Sequence, residues 1–176
     1  MKFLLAIFLS LFCFEIHCNN VVFVNIGSIN VSKDGIELYK KTFFSPRYFI
    51  SNWINARIIC QNYGLELATF STLEEFNAVP EMFYEFVNSL ITPSNIYVNG
   101  MTLTPKSSDD WYWVNPQQKI GWSLPWCSGE PNNFEDKGEW CLSVSRNSDG
   151  TLCFNDMPCS VIESSFLCQK TEVFVS

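Results

Sequence analysis

Five of the chain's eight cysteines fall between Trp126 and Cys168, as Cys127, Cys141, Cys153, Cys159 and Cys168. Interleaved with them stand five side chains that offer oxygen: Glu130, Asn132, Glu139, Asn155 and Asp156. Crosslinks in so short a stretch dictate which segments lie together. The rest of the chain reads as the scaffold that holds this stretch still. One more cysteine, Cys60, lies far upstream, and the last two, Cys13 and Cys18, sit in the N-terminal segment MKFLLAIFLSLFCFEIHC.

That segment has the pattern of a signal peptide over residues 1–18. Lys2 gives the basic start, and Phe3 to Phe14 give an apolar run broken only by Ser10. The run is too short for a helix across a bilayer core of about 30 Å. Cleavage after Cys18 predicts a secreted, extracellular protein. It leaves six cysteines, an even number that reads as three disulfides whose pairing the spacing leaves open. It also removes His17, the only histidine. A Ser-His-Asp relay, a Cys-His pair or a histidine zinc site then has no imidazole to use. No later stretch is apolar over eighteen residues, so no membrane span is expected. The net charge of -7 argues against nucleic acid and against anionic membranes, since both need Lys and Arg.

A length of 176 residues predicts one domain. Residues 19–35 form an N-terminal extension or a first strand, and carry the sequon Asn30-Val31-Ser32, which makes Asn30 a glycosylation candidate. From residue 36 to 176 the pattern is that of the domain proper. Tyr and Phe are dense from Ile36 to Phe49, with a break at Ser45-Pro46, which predicts two strands or a strand and a loop. Ser51 or Asn52 can cap a helix whose apolar face is Trp53, Ala56, Ile59, Cys60 and Tyr63, ended by Gly64. Ser71-Thr72-Leu73-Glu74 reads as a capping box opening a second helix, with Phe83, Phe86, Val87 and Leu90 beyond Pro80. Short strands are expected around Ile96–Met101, Trp111–Val114, Leu142–Ser145 and Phe166–Gln169. Asn115 to Asp136 is rich in proline, glycine and asparagine and reads as a long loop region, the kind that carries function. The order of elements predicts an α+β fold.

Calcium takes six to eight oxygens, at about 2.3–2.6 Å, from carboxylates, amides, backbone and water. Glu130, Glu139 and Asp156 offer carboxylates, and Asn132 and Asn155 offer amide oxygens. No sulfur or imidazole belongs to the set, so a hard cation fits it better than zinc or copper. Taken singly, Glu-Pro-Asn and Asn-Asp are turn chemistry, and Glu135, Asp136 and Glu139 are a solvated acidic face. The weight lies in the constellation.

That constellation resembles the C-type lectin domain: Trp126, then Glu130-Pro131-Asn132, then Glu139-x-Cys141, then Asn155-Asp156 with Cys159, ending in Phe166-Leu167-Cys168. Upstream, Cys60 on the first helix and Gly64-x-x-Leu67-Ala68 also fit, so the resemblance covers about Ile36 to Lys170. It implies two helices, two small antiparallel sheets and a long calcium-binding loop region. It implies the disulfides Cys60–Cys168 and Cys141–Cys159. Cys127 and Cys153 are additional to that framework and are expected to pair with each other, since they flank the two arms that carry the oxygens. It implies calcium (Ca2+) as cofactor, held by Glu130, Asn132, Glu139, Asn155 and Asp156, with a cis Glu130–Pro131 peptide. The sugar's adjacent hydroxyls would bind the calcium itself, one served by Glu130 and Asn132, the other by Glu139 and Asn155. Glu-Pro-Asn resembles the family's mannose-type sites, whose partners are glycans of the mannose, N-acetylglucosamine, glucose or fucose type. Galactose-type members carry Gln-Pro-Asp.

The chain also departs from the pattern. Phe154 stands where a tryptophan is usual, and Asn99-Gly100-Met101-Thr102-Leu103 copies the family's Trp-Ile-Gly-Leu strand poorly. Asn133 stands where an auxiliary calcium site commonly has an acid, although Asp109 and Asp110 are near. The leading expectation is a secreted lectin, not an enzyme, gaining avidity through more than one copy. The alternative is a protein-binding module of the same fold, with calcium structural or absent. Glycoside hydrolysis by Glu130 and Glu139 is disfavoured, because bound metal keeps carboxylates ionised.

Overall fold

The computed structural model describes residues 21–33, 36–79, 95–147, 149–161 and 164–174. The signal-peptide expectation for residues 1–18, and the helical face expected at Phe83, Phe86, Val87 and Leu90, lie outside the described residues. Among the described residues, two α-helices and two sheets make a mixed α+β fold, as expected.

The first sheet has the order β1-β2-β10-β3. Strands β1 (Phe23–Lys33) and β2 (Ile36–Pro46) form a long antiparallel pair. Residues 23–33 are therefore a first strand, at the sheet edge, with Asn30 exposed on it. The Tyr- and Phe-rich stretch is one strand carried as far as Pro46. Strand β10 (Cys168–Val173) pairs with β2 on one side and with the short β3 (Glu66–Leu67) on the other.

The second sheet runs β6-β5-β4-β7-β8. Its members are β4 (Asn95–Thr102), β5 (Trp111–Trp113), β6 (Gln118–Lys119), β7 (Cys141–Arg146) and β8 (Leu152–Met157). All these pairs are antiparallel. Strand β9 (Ser165–Phe166) adds one parallel pairing to β4. The expected long loop thus contains the short strand β6, which pairs back on β5 across a turn that holds a cis Asn115–Pro116 peptide.

Helix α1 (Trp53–Asn62) starts where Asn52 Oδ1 accepts from the Asn55 N–H at 2.8 Å. It buries Trp53, Ala56 and Cys60, and Gly64 leaves it at φ +71, which suits a residue without Cβ. Tyr63 departs from the expected apolar face: it is exposed, and its hydroxyl accepts from the Val21 N–H at 2.9 Å. The cap of α2 (Leu73–Asn77) falls one residue later than expected. Thr72 Oγ1 accepts from the Glu75 N–H, and Glu75, not Glu74, reaches back to the Ser71 N–H. Glu75 has a second task, which moves the box. Its carboxylate is buried against Lys41, Nζ to Oε1 2.7 Å, and Lys41 also donates to Thr69 O at 2.9 Å. Burial pulls the Lys41 ammonium below the usual lysine range, against the attraction of Glu75.

The main core joins the sheets through Phe43, Phe70, Phe76, Trp111, Leu142, Phe154 and their neighbours. A second cluster gathers Trp53, Ala56, Cys60, Tyr97, Cys141, Phe166 and Cys168 under α1. Three disulfides join Cys60 to Cys168, Cys127 to Cys153 and Cys141 to Cys159, with Cα–Cα distances of 5.7, 4.9 and 5.2 Å.

Candidate functional site

The site is built where the 126–140 loop folds back onto β8. Trp126 makes a parallel bridge to Phe154, through Cys127 N–H to Phe154 O and Phe154 N–H to Pro125 O, at 2.9 and 2.8 Å. The Cys127–Cys153 bond closes the same junction. Three residues on, Glu130 donates its N–H back to Cys127 O at 3.0 Å, and the Glu130–Pro131 peptide is cis. The chain then crosses over Asp156. Both Asp156 carboxylate oxygens accept loop amides: Oδ1 from Asn132 at 3.2 Å and Oδ2 from Asn133 at 2.8 Å. Glu139, the last loop acid before β7, accepts from the Phe134 N–H at 2.5 Å.

The structure therefore brings Glu130, Asn132, Glu139 and Asp156 to one place. Asn155 is next to Asp156 on β8, but its Nδ2 donates to Asn95 Oδ1 at 3.4 Å. Glu139 and Asp156 are buried, and Glu130 is half-buried. Burial, a hydrogen bond to Asp156 and the charges of Asp156 and Glu139 push the Glu130 carboxyl up to about 7. Burial is also the main reason that Glu139 is raised, with Asp156 adding to it. Three acids in one half-buried place repel each other, and a proton or a cation relieves them.

Asn133 is the organiser that the sequence did not announce. Its N–H holds Asp156, its Oδ1 accepts both Gly138 and Glu139 N–H groups at 2.9 Å, and its Nδ2 meets Asp136 Oδ1 at 3.3 Å. It sits in the left-handed region at φ +46, followed by Glu135 at +52 and Asp136 at +54. Asparagine tolerates that region better than most residues do, which is the one signal the sequence held.

Does a hard cation suit this place? Glu130 Oε2 and Asn132 Oδ1 are buried and, with the carboxyls ionised, receive no N–H or O–H from the described residues. Orphaned buried oxygens are rare and costly, and an ion is one way to satisfy them. The donor set is all oxygen, as calcium requires. As placed, no group of three or more His, Cys, Asp or Glu side chains among the described residues is arranged to hold a metal. The reason is visible: Asp156 and Glu139 direct oxygens at loop amides. The donor types fit calcium.

Calcium-free protein should lose stability as pH rises through about 7. Glu130 is raised in the fold, so the folded state binds the proton more tightly than the unfolded chain. Its contribution is full below the ordinary glutamate range and is lost as pH passes its folded value. Melts in chelator at pH 5.5 and pH 8 check this; a higher midpoint at pH 8 contradicts it.

No protein-family model matches the chain. Curated relatives do match it, two of which illustrate their range. Human C-type lectin domain family 4 member C is 25% identical over 138 residues, 76% of this chain. The match spans 59% of that relative's length. The type-2 ice-structuring protein of Osmerus mordax is 28% identical over 134 residues, 72% of this chain and 67% of that one. Among solved structures, the C-type lectin domain of murine dendritic cell inhibitory receptor 2, in complex with N-glycan, superposes with a TM-score of 0.56 at 20% identity, over 75% of this chain and 91% of that one. Human lithostathine gives 0.58 at 22% identity, over 81% and 88%.

The chain has the C-type lectin-like fold. Its relatives span lectins and an ice-structuring protein, so the C-type lectin-like fold alone does not name a ligand. Among the described residues, no helix is long and apolar enough to cross a membrane.

Proposed function

We propose that this C-type lectin-like domain is a secreted, calcium-dependent lectin for mannose-type sugars. The observation that carries the reading is the pair of orphaned buried oxygens, Glu130 Oε2 and Asn132 Oδ1, beside the Glu139 and Asp156 carboxylates. Calcium would be held by Glu130, Asn132, Glu139, Asn155 and Asp156. When bound, the ion supplies coordination positions that two neighbouring sugar hydroxyls take in place of water. The residues supply direction: Glu130 and Glu139 accept from the hydroxyls, and the Asn132 and Asn155 amides donate to them. The ligand is a glycan of the mannose, N-acetylglucosamine, glucose or fucose type, and Asn30, exposed on β1, is glycosylated. Retention on mannose-agarose in calcium, with release by chelator, tests the reading. Flow-through in calcium rejects it.

A second reading has its own observation. Asp156, Glu139 and Asn133 already hold the loop through its amides. A module that binds protein with this surface, calcium aside, would use that preset shape. It predicts partner binding that is indifferent to chelator.

The double change Glu130→Gln, Asn132→Asp should turn preference from mannose toward galactose. It keeps the number of carboxylates, so calcium should stay, but it exchanges donor and acceptor around one hydroxyl. A buried mismatch of that kind costs about 1–3 kcal/mol, or roughly five- to 160-fold. Unaltered mannose preference in a glycan array would mean that the sugar does not meet Glu130 and Asn132.

Breaking the Cys127–Cys153 bond, as Cys127→Ser, Cys153→Ser, should weaken calcium while the fold stays. The bond ties the arm bearing Glu130 to the arm bearing Asp156. Freed arms lose more entropy when the ion orders them. Calorimetry showing equal calcium affinity would leave the bond a structural staple only.

A further inference from the structure

We propose that an N-glycan at Asn30 keeps the edge of the first sheet from pairing with a second copy of the chain, so that occupancy of this one side chain sets how many copies join. This rests on the glycosylation reading above and makes no use of the calcium site. Asn30 opens the sequon Asn30-Val31-Ser32 and is exposed on β1. Modification bonds its Nδ2 to the anomeric carbon of an incoming oligosaccharide. The nitrogen loses a proton, and the carbon loses the diphosphate carrier that brought it. The product is bulky and well solvated.

Strand β1 is open to such pairing. It ends the order β1-β2-β10-β3 and, among the described residues, pairs with β2 alone. An edge strand turns every second N–H and C=O away from its sheet, which makes it a template for another strand. Proteins guard such edges by shortness, charge, proline, bulges or a covering element. Here the strand is eleven residues long, and its one charged residue, Lys33, stands at its end. Register shifts fall between Asn25 and Gly27 and between Val31 and Ser32. The run 27–31 between them keeps an unbroken register against 39–43 and holds neither charge nor proline. Helix α2 does not cover this run: residues 29–32, with Thr72, Glu74 and Ala78 on the other side, line a depression of about 410 Å3.

Asn30 belongs to that run. Ser28 and Asn30 are both exposed and two residues apart, so they share the outward face, while Ile29 between them packs on the main core. Two such runs from two copies, antiparallel across a two-fold axis, bring facing Cβ atoms to about 4.5–5.5 Å. A glycan on Asn30 leaves no such space. Without it, the outward side chains are small and uncharged, and nothing on the run repels a second copy. None of the proposed calcium ligands lies on β1, so a pair would carry two sites and gain avidity for a glycan-covered surface.

Sedimentation of the secreted glycoprotein tests this, with mass spectrometry reading occupancy at Asn30. The glycosylated chain should sediment as one copy across a concentration series. Asn30→Gln and Ser32→Ala remove the sequon through different residues, and both should double in mass as concentration rises. Hydrogen exchange at the 27–31 amides should slow as the pair forms. Adding Ser28→Lys to either variant should restore single copies, because lysine on an edge opposes pairing. Single copies of both variants at every concentration, or assembly that leaves exchange at 27–31 unchanged, overturns the guard while glycosylation stands. Pairs that persist with Ser28→Lys overturn it as well. A secreted parent with no glycan mass at Asn30 rejects the glycosylation reading itself, and the guard falls with it.

Discussion

Phe154→Ala should lower stability by about 3–5 kcal/mol, the usual range for emptying a large aromatic from a core. Phe154 is fully buried. It stacks on Phe76 with centroids 4.4 Å apart, and touches Phe70 and Trp122 edge-on at 6.3 and 6.0 Å. These neighbours come from different elements, so the cavity has no single segment that can slide in to close it. The residue also anchors the site, because its backbone holds Pro125 and Cys127 while the next two residues are Asn155 and Asp156. Calcium affinity should fall along with stability. Urea unfolding with an unchanged slope and a midpoint shift in that range supports the assignment; a loss below about 1 kcal/mol would show that the core collapses around the gap.

Calcium should stabilise the domain by about 2.7 kcal/mol at a hundredfold excess over its Kd. The cluster places Glu130, Glu139 and Asp156 against one another with two buried oxygens unmatched. An ion removes both defects in the folded state alone. Melts in calcium and in chelator, on protein stripped of metal, measure the difference. Magnesium should give less, since it prefers a smaller shell that retains water. Identical midpoints in calcium and chelator would reject the site, and an unchanged calcium shift in Glu139→Ala would remove Glu139 from it.

Much of the scaffold was legible because it rests on local rules. The α1 cap, Cys60 on its buried face and Gly64 at its end follow from periodicity and capping. The capping box was legible in type but one residue out, because Glu75 also serves Lys41. That buried ion pair looks like surface residues in the sequence. The clue was parity: Lys41 lies in phase with buried Phe43 and Ser45 along β2. The pairing of residues 23–33 with β2 is a long-range choice that alternation alone does not decide. At the site, the donor types were legible but their directions were not. That Asn155 turns to Asn95, and that Asn133 carries the loop, depend on side-chain orientations set by tertiary contacts.

The Asn133 brace has a consequence for how such a domain can change over time. The loop's outline is drawn by amides gripping Asn133, Asp156 and Glu139, rather than waiting for an ion to draw it. Of those three, Asn133 is outside the proposed ion set. A lineage that loses Glu130 or Asn132 then loses a ligand without losing the outline of its surface. Drift at those two positions becomes a change of target rather than a collapse, and the same outline stays available for a new one.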